Sequence, residues 1–431
     1  MTETTGKMGT VTVSCLCGVA RQTLAVHATS SDRSDDDETG KEATVWDDIA
    51  LCHCNTCRQV TGQLFTSYIP IHSSGDPTAV SPSLEGLAEY CPAPGSSSKW
   101  YFCSTCGCHV FRCMTLDSGN GDEMQWEVAT GVIIDSPDLQ PPVLDDTPWR
   151  HMHVDETSDG GLSVWLPSTH ETQQSNPPPD YHHHHNTTDP NKPPIPSPPH
   201  LDAEGLLPAT CHCGTITFKI SRPNESSFLP RSSFPDLSHP YTQTPPSIIS
   251  NPSDEKWWIC EPAPAPAPAA SASASTSPDD KRYRAGTCAC RSCRLASGFE
   301  IQSWAFIPHS NVHFSTTMEE GSMVYPPPYL RTYESSPRTM RTFCPTCGAT
   351  LSWHSVDEGR RAGGLLDISV GLLRASSGAR AEGWLDWWRG RVSFAEEAGV
   401  ERTGVAAGWA RLLVDALEAG LRSGGGGRGG R

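Results

Sequence analysis

The chain has 431 residues and a formal net charge of −17, a length for which we expect about two to three domains. Because a nucleic-acid backbone partner requires a basic surface, the negative charge argues against nucleic-acid binding. No apolar run approaches the roughly 20 residues that span a bilayer, and the polar start of the chain lacks the apolar segment of a signal peptide. We therefore expect an intracellular, cytoplasmic protein with no membrane partner, in which the 18 cysteines bind metal or act in catalysis rather than form disulfides.

The first unit begins at residues 10–25 with alternating β-type residues, which predict a strand. Cys15 and Cys17 are two residues apart, so on a strand both sulfurs lie on one face and can reach one ion. The stretch LCHCNTCRQVTG follows at residues 51–62, and then a strand, a C-x-x-C-G knuckle and two further strands are predicted. The three-cysteine stretch contains Cys52, Cys54 and Cys57, and the knuckle contains Cys103 and Cys106.

The same order of motifs recurs in the second half, which identifies an internal duplication. Each copy runs C-x-C-G, C-x-C-x-x-C-R, a strand, C-x-x-C-G and a strand with a glycine near its end. The corresponding cysteines of the second copy are Cys211, Cys213, Cys288, Cys290, Cys293, Cys344 and Cys347. We therefore expect two tandem domains that contain the same kind of metal-binding site.

These patterns predict a mostly β chain with disordered linkers and a short C-terminal helix. The two domains are predicted at residues 10–167 and 208–400, joined by a Pro- and His-rich linker at 168–207. An insertion in the second domain, at about 221–285, is of low complexity and is predicted to be disordered, apart from the apolar segment KWWIC. Residues 401–431 are predicted to form an amphipathic helix followed by a Gly-rich tail.

Within one copy, the C-x-C and C-x-x-C pairs make a complete four-cysteine zinc site, which contributes folding free energy directly. The three-cysteine stretch then holds a second ion with an open position, as catalytic zinc sites do. Spacing alone leaves this partition of ligands open. His53 and His212 lie between ligand cysteines, and we expect both side chains to point away from the metal. The four cysteines without a counterpart, interpreted as ordinary thiols, are Cys91, Cys108, Cys113 and Cys260.

The motifs CLCG, CHCNTCRQVTG and FCSTCG, followed by CHCG, CACRSCRLASG and FCPTCG, resemble the hallmarks of the glutathione-dependent formaldehyde-activating enzyme family, also called the centromere protein V type domain. The resemblance covers both repeats. It implies a complex, mostly antiparallel β fold with up to two zinc ions per domain, one structural and one of catalytic type, with the same split of ligands. It also implies carbon–sulfur lyase activity, the reversible condensation of glutathione with formaldehyde to S-hydroxymethylglutathione.

We therefore expect a zinc-dependent, carbon–sulfur lyase-like protein that handles the adduct of a glutathione-like thiol and a small aldehyde. Arg58 and Arg294 follow the last cysteine of each three-cysteine stretch and are candidates to pair with a substrate carboxylate; the alternative is a solvated arginine. No general base can be assigned. The alternative function is a non-catalytic, zinc-stabilised protein-interaction module, in which a fourth ligand closes each three-cysteine site.

Overall fold

The computed structural model describes residues 8–27, 46, 49–71, 81–117, 122–137, 148–168, 205–261, 281–314, 325–356 and 364–423. Strands predominate among them, so the prediction of a mostly β fold is confirmed. Most of the predicted linker and the Gly-rich tail lie outside the described residues. None of the described helices is both long and apolar enough to cross a bilayer.

The described residues of the first repeat form ten strands and the short helix that carries its three-cysteine stretch. These elements are β1 (Met8–Val13), β2 (Gln22–His27), β3 (Ile49–Cys52), α1 (Asn55–Thr61), β4 (Thr66–Ile71), β5 (Leu87–Tyr90), β6 (Ser98–Cys103), β7 (His109–Asp117), β8 (Asp122–Ala129), β9 (Ile133–Asp135) and β10 (Trp149–Met152). They form a large sheet in the order β10-β3-β4-β8-β7-β6-β5 and a small sheet in the order β2-β1-β9. The large sheet is antiparallel except where β10 pairs with β3.

The described part of the second repeat follows the same plan in its large sheet, with one added strand. Its elements are β11 (Leu206–Thr210), β12 (Thr217–Ser221), α2 (Pro246–Ile249), β13 (Ile259–Cys260), β14 (Arg282–Cys288), α3 (Arg291–Ser297), β15 (Gln302–Pro308), β16 (Val312–Phe314), β17 (Arg331–Ser336), β18 (Thr339–Phe343), β19 (Thr350–Ser355), β20 (Leu365–Ser369), β21 (Leu385–Trp387) and α4 (Gly404–Ser423). The order β14-β15-β20-β19-β18-β17 matches the first sheet strand for strand, and β21 pairs in parallel with β14 as β10 does with β3. The extra strand, β13, pairs with β14 and comes from the insertion. The small sheet instead has the order β11-β12-β16 and takes its third strand from a different place in the chain than the small sheet of the first repeat does.

The burial of each strand explains where it sits in its sheet. Every residue of β15 is buried, as expected of a central strand that is covered on both faces. In contrast, β17 consists of exposed and half-exposed residues, which is typical of a sheet edge. The three-cysteine helices α1 and α3 each lie between two central strands in the sequence, so the most rigid part of each sheet holds them.

The two repeats share one hydrophobic core, and glycines make their closest contacts. Gly62 and Gly298 end α1 and α3 in the left-handed conformation, with φ of +82° and +94°. The Gly131 N–H donates to the Gly298 carbonyl at 2.9 Å, and the Gly371 N–H donates to the Gly62 carbonyl at 3.1 Å. A Cβ on Gly298 would lie only 2.0 Å from the His109 carbonyl oxygen. Glycine is therefore needed there both for the helix end and for the approach of the other repeat.

The described part of the insertion is folded, which corrects the prediction of disorder across about 221–285. Residues 221–261 and 281–285 are described, and Leu237 and Trp258 are 2% and 0% exposed. The Asp236 carboxylate accepts hydrogen bonds from the Phe394 N–H at 2.6 Å and the Tyr241 N–H at 2.8 Å. Buried aromatic and aliphatic side chains supply the apolar area that a low-complexity segment lacks. The Ala-Pro and Ala-Ser tract at 262–280 lies outside the described residues.

The C-terminal helix α4, whose existence is confirmed, packs mainly on the first repeat. It also contacts the end of the second repeat, where the Val392 N–H donates to the Glu418 carboxylate at 2.9 Å. Its Trp409 lies against Trp46, with ring centroids 5.8 Å apart. A Cβ on Gly420 would lie 1.8 Å from the carbonyl oxygen of Trp165. The end of the chain therefore crosses back over the first repeat, and the two repeats are tied together at this point as well.

Candidate metal centres

Each repeat contains a cluster of four cysteine sulfurs that joins its first strand to its knuckle. The Cys17 Sγ lies 3.4 Å from both the Cys15 Sγ and the Cys103 Sγ. In the second repeat, the Cys213 Sγ lies 3.4 Å from the Cys211 Sγ and 3.4 Å from the Cys344 Sγ. The complete sets, within which all sulfurs lie within 4.8 Å of one another, are Cys15, Cys17, Cys103 and Cys106, and Cys211, Cys213, Cys344 and Cys347. We call them the four-cysteine clusters.

The knuckle turn explains how two of these sulfurs converge. The Gly107 N–H donates to the Cys103 carbonyl at 2.9 Å, and Gly107 has φ of +80°. In the second repeat the Cys347 N–H points at the Cys344 Sγ at 3.5 Å, a contact that stabilises a thiolate. A hydrogen bond from Cys106 lowers the pKa of Cys17 to about 7, and one from Cys211 lowers the pKa of Cys344 to about 7. Both thiols are thus close to the ionised form that binds metal.

The other two groups, the three-cysteine clusters, sit at the beginning of the short helices. We call Cys52, Cys54 and Cys57 centre one, and Cys288, Cys290 and Cys293 centre two. Cys54 is the N-cap of α1, and its sulfur accepts a hydrogen bond from the Cys57 N–H at 3.3 Å. Cys290 caps α3 in the same way, with 3.2 Å to the Cys293 N–H. One helical turn thus brings the last two cysteines of the C-x-C-x-x-C spacing together, and the strand before it supplies the first.

The donor sets fit zinc. Four sulfurs held at about 2.3 Å from a tetrahedral zinc ion lie about 3.8 Å apart, close to the sulfur–sulfur separations of 3.4 to 4.0 Å within the four-cysteine clusters. All the cysteines of the four clusters are free thiols in the structure. Thiolate ligands select soft or borderline metals over magnesium or calcium. Four clusters of the chain can therefore hold metal ions.

Neither three-cysteine cluster gathers a fourth His, Cys, Asp or Glu ligand among the described residues. His53 lies between two cysteines of centre one, but its Nε2 is 2.9 Å from the Nδ1 of His151. The His151 Nε2 lies 2.6 Å from the Leu166 carbonyl; because a carbonyl only accepts, that nitrogen carries a proton and the His53 Nε2 donates to His151. The second interleaved histidine, His212, has its Nδ1 2.6 Å from the Tyr90 hydroxyl.

Arg58 and Arg294, the candidates for pairing with a substrate carboxylate, are buried and bonded to the main chain. The two side chains are 4% and 1% exposed, so neither is solvated. The Arg58 Nε donates to the His53 carbonyl at 3.1 Å, and the Arg294 Nη1 donates to the Gly131 carbonyl at 2.6 Å. Burial lowers the pKa of Arg294 to about 9. Both arginines hold main-chain carbonyls in place, a role that the sequence pattern does not distinguish from substrate binding.

Two other arginines, which sequence reasoning missed, interact electrostatically with cysteines of the three-cysteine clusters, Arg341 with Cys293 and Arg112 with Cys57. The Arg341 Nη2 is 3.4 Å from the Cys293 Sγ in centre two. Burial lowers the pKa of Arg341, but the charges of Cys293 and Cys290 outweigh burial and raise it. Near centre one, Arg112 pairs with Glu127 at 2.5 Å and lies over the Tyr68 ring at 4.5 Å. These arginines lie on strands that are far in sequence from the three-cysteine stretches, and no motif marks them.

Each four-cysteine cluster also touches the three-cysteine helix of the other repeat. The Leu16 N–H, between Cys15 and Cys17, donates to the Leu295 carbonyl in α3 at 2.9 Å. The His212 N–H donates in the same way to the Gln59 carbonyl in α1 at 3.1 Å. The repeats are therefore related by an approximate twofold arrangement, in which one repeat's four-cysteine cluster supports the other's three-cysteine helix.

A family model described as "Glutathione-dependent formaldehyde-activating enzyme" matches residues 39–145 and again residues 274–387. The two matches fall one on each repeat, and together they cover just over half of the chain. No curated protein and no solved structure gives a significant match. With a mostly β fold, two copies of the cysteine pattern and two separate family matches, the chain belongs to the glutathione-dependent formaldehyde-activating enzyme family and carries its domain twice.

Proposed function

We propose that the protein is a zinc-dependent carbon–sulfur lyase that makes or breaks the adduct of a glutathione-like thiol and a small aldehyde. The observation that carries the proposal is the pair of three-cysteine clusters without a fourth side-chain ligand among the described residues. Family membership supports a zinc-binding function related to glutathione and formaldehyde. In this proposal the four-cysteine clusters are structural and the three-cysteine clusters are the reacting centres, and all fourteen cysteines are zinc ligands.

The residues around the three-cysteine clusters are suited to this chemistry. When zinc is bound by three thiolates, it lowers the pKa of a thiol that takes the open position, so that a nucleophilic thiolate exists near neutral pH. The cysteines of centre one are between 1% and 7% exposed, so the chain keeps bulk water away from them. Arg341 places a positive charge 3.4 Å from the Cys293 sulfur, which offsets the negative charge that three thiolates bring into a buried site.

The proposed reaction is balanced without an oxidant or reductant. A bond forms between the substrate sulfur and the aldehyde carbon, and the carbonyl π-electrons pass to the aldehyde oxygen. That oxygen takes up the proton that the thiol gave up, so the product is a neutral hemithioacetal; cleavage is the reverse. We further propose a cytoplasmic location, since a reducing compartment keeps free the thiols of the clusters.

The test is the exchange rate between ¹³C-formaldehyde hydrate and S-hydroxymethylglutathione, measured by NMR at equilibrium with the zinc-loaded full chain. We expect the protein to accelerate exchange. A chain with Cys57→Ser and Cys293→Ser, which leaves both four-cysteine clusters intact, serves as the matched control and should lose the acceleration. No acceleration by the parent chain with formaldehyde, acetaldehyde or methylglyoxal would overturn the proposal and favour a non-catalytic interaction module.

A further inference from the structure

The register of the two large sheets reveals an exchange of an arginine and a tryptophan next to the two three-cysteine centres. Residues paired directly across neighbouring strands share one face of a sheet. In the first repeat such a row runs through Tyr90, Trp100, Arg112, Glu127 and Pro70. In the second repeat the equivalent row runs through Tyr333, Arg341, Trp353, Asp367 and Phe306. The arginine and the tryptophan have exchanged strands, while the tyrosine and the carboxylate keep their places.

The exchange brings the arginine of the second repeat onto the cysteine cluster. Arg341 is 3% exposed, and its Nη2 donates to the Ser292 hydroxyl at 3.0 Å and lies 3.4 Å from the Cys293 Sγ. Its Nε is buried and has no hydrogen-bond partner among the described residues. The nearest carboxylate of the row, Asp367, is two strands away with Trp353 between them, a separation of about 9–10 Å.

In the first repeat the arginine is neutralised instead. Arg112 is 5% exposed and Glu127 is 1% exposed, and the Glu127 Oε2 lies 2.5 Å from both the Nε and the Nη2 of Arg112. The two side chains therefore form a buried ion pair with no net charge, in which one carboxylate oxygen accepts from two guanidinium nitrogens. The Arg112 Nη1 and the Tyr68 hydroxyl are buried without a hydrogen-bond partner in the part of the chain that the structure describes.

The charges of the two centres consequently differ by about one unit. Three thiolates around a divalent zinc ion carry about −1. Arg58 and Arg294 occupy the same position of α1 and α3 and affect the two centres alike. Arg341 adds one positive charge at centre two, whereas the Arg112–Glu127 pair adds none at centre one. Adding an anionic ligand to a buried negative centre is costly, and a fixed cation within a few ångströms offsets much of that cost.

Building on the proposed function, we propose that the two centres are specialised: centre two is the one that binds anionic ligands, thiolates in particular, and Arg341 is the positioning residue that makes it so. Centre one, with its neutralised arginine, binds thiolates more weakly and favours neutral ligands such as the aldehyde adduct or water. The two copies thus differ in ligand preference because the cross-strand row beside each three-cysteine centre carries its arginine at a different position.

The test uses the full chain loaded with cobalt(II), whose absorption reports the addition of a thiolate to a three-sulfur site independently of turnover. Cys57→Ser leaves only centre two open, and Cys293→Ser leaves only centre one open. Each protein is titrated with 2-mercaptoethanol. We expect centre two to bind the thiol about tenfold or more tightly than centre one. In the Cys57→Ser protein, Arg341→Met should weaken binding about tenfold, and Arg341→Lys should restore most of it.

A variant that is expected to bind the thiol more tightly provides a second test in case Arg341→Met misfolds. In the Cys293→Ser protein, Glu127→Gln removes one negative charge with almost no change in shape, so centre one should bind the thiol about tenfold more tightly. Equal affinities at both centres, with no response to Arg341→Met or Glu127→Gln, would overturn the specialisation but leave the lyase proposal standing. No thiol-dependent spectral change at either centre would instead contradict the proposed function on which the specialisation rests.

Discussion

A methyl group at position 298 should separate the two repeats where they approach most closely. Gly298 ends α3 with φ of +94°, and a Cβ there would lie 2.0 Å from the His109 carbonyl oxygen of the other repeat. Since the atom it meets belongs to the backbone, a side-chain rotation cannot relieve the overlap. Gly298→Ala therefore tests whether the two repeats pack against each other as closely as the structure shows.

The expected loss of stability has three parts. A non-glycine residue in the left-handed region costs about 1–2 kcal/mol, and forcing extra volume into a packed contact costs about 1–3 kcal/mol. The displaced end of α3 also strains the hydrogen bond from the Gly131 N–H to the Gly298 carbonyl, which contributes about 0.5–1.5 kcal/mol. The sum, about 2.5–6.5 kcal/mol, is a large fraction of the stability of a typical domain.

Gly95→Ala is the matched control, since Gly95 has φ of +77° but no atom within 4 Å of its would-be Cβ. It should lose only the backbone contribution of about 1–2 kcal/mol. Both variants are compared with the parent chain by urea unfolding in the presence of zinc, followed by tryptophan fluorescence. If Gly298→Ala lost no more free energy of unfolding than Gly95→Ala, the close approach of the repeats would be refuted.

Three further predictions test other parts of the fold. In α4, Gly420→Ala should destabilise the folded chain by about 1–3 kcal/mol because its Cβ would lie 1.8 Å from a backbone oxygen. The control, Gly408→Ala, has open space around its Cβ and should stabilise the chain by about 0.5–1 kcal/mol. The opposite order of the two unfolding temperatures would contradict the packing of α4 on the first repeat. Asp236→Asn should weaken the attachment of the insertion to the second repeat and lower the free energy of unfolding by about 1–3 kcal/mol. The Phe394 amide should then exchange its hydrogen faster, and an unchanged exchange rate would contradict the importance of the Asp236 hydrogen bonds. Burial lowers the pKa of His109 to about 4, so only the unfolded state gains its proton between about pH 6.5 and 4. The free energy of unfolding of the parent chain should therefore fall relative to that of His109→Leu as the pH falls through that window, by up to about 1.4 kcal/mol per pH unit. If urea unfolding gave a difference between the two proteins that did not change with pH, His109 would not be buried in its neutral form.

The metal clusters and the duplication follow from local chemistry, which explains why sequence reasoning reached them. The strand predicted through Cys15 and Cys17 ends at Val13, and the two cysteines lie in the turn that follows it, with their sulfurs 3.4 Å apart. A C-x-x-C at a helix start or a tight turn likewise brings its sulfurs together. The structure gathers the same four sets of cysteines that spacing suggests. The glycine that follows the last cysteine of each three-cysteine stretch also recurs, and its reason emerges only in three dimensions, since it meets the other repeat.

Contacts between segments distant in sequence could not be predicted in this way. Arg112 and Arg341 reach the centres because of strand register, which a single sequence does not reveal. The insertion reads as disordered by composition, yet Leu237 and Trp258 bury it against the second repeat. The position of α4 on the first repeat depends on a shared core that amphipathic spacing cannot assign to a partner.

Zinc content and coordination, measured together on the purified chain, test the metal assignment most directly. Two four-cysteine and two three-cysteine clusters predict about four zinc ions per chain and an average of about 3.5 sulfur ligands per ion by X-ray absorption at the zinc edge. Glutathione should raise that average toward about four as thiolate fills the open positions. About four zinc ions with an all-sulfur shell that glutathione leaves unchanged would contradict the open centres, and two zinc ions or fewer would show that three-cysteine clusters do not hold metal.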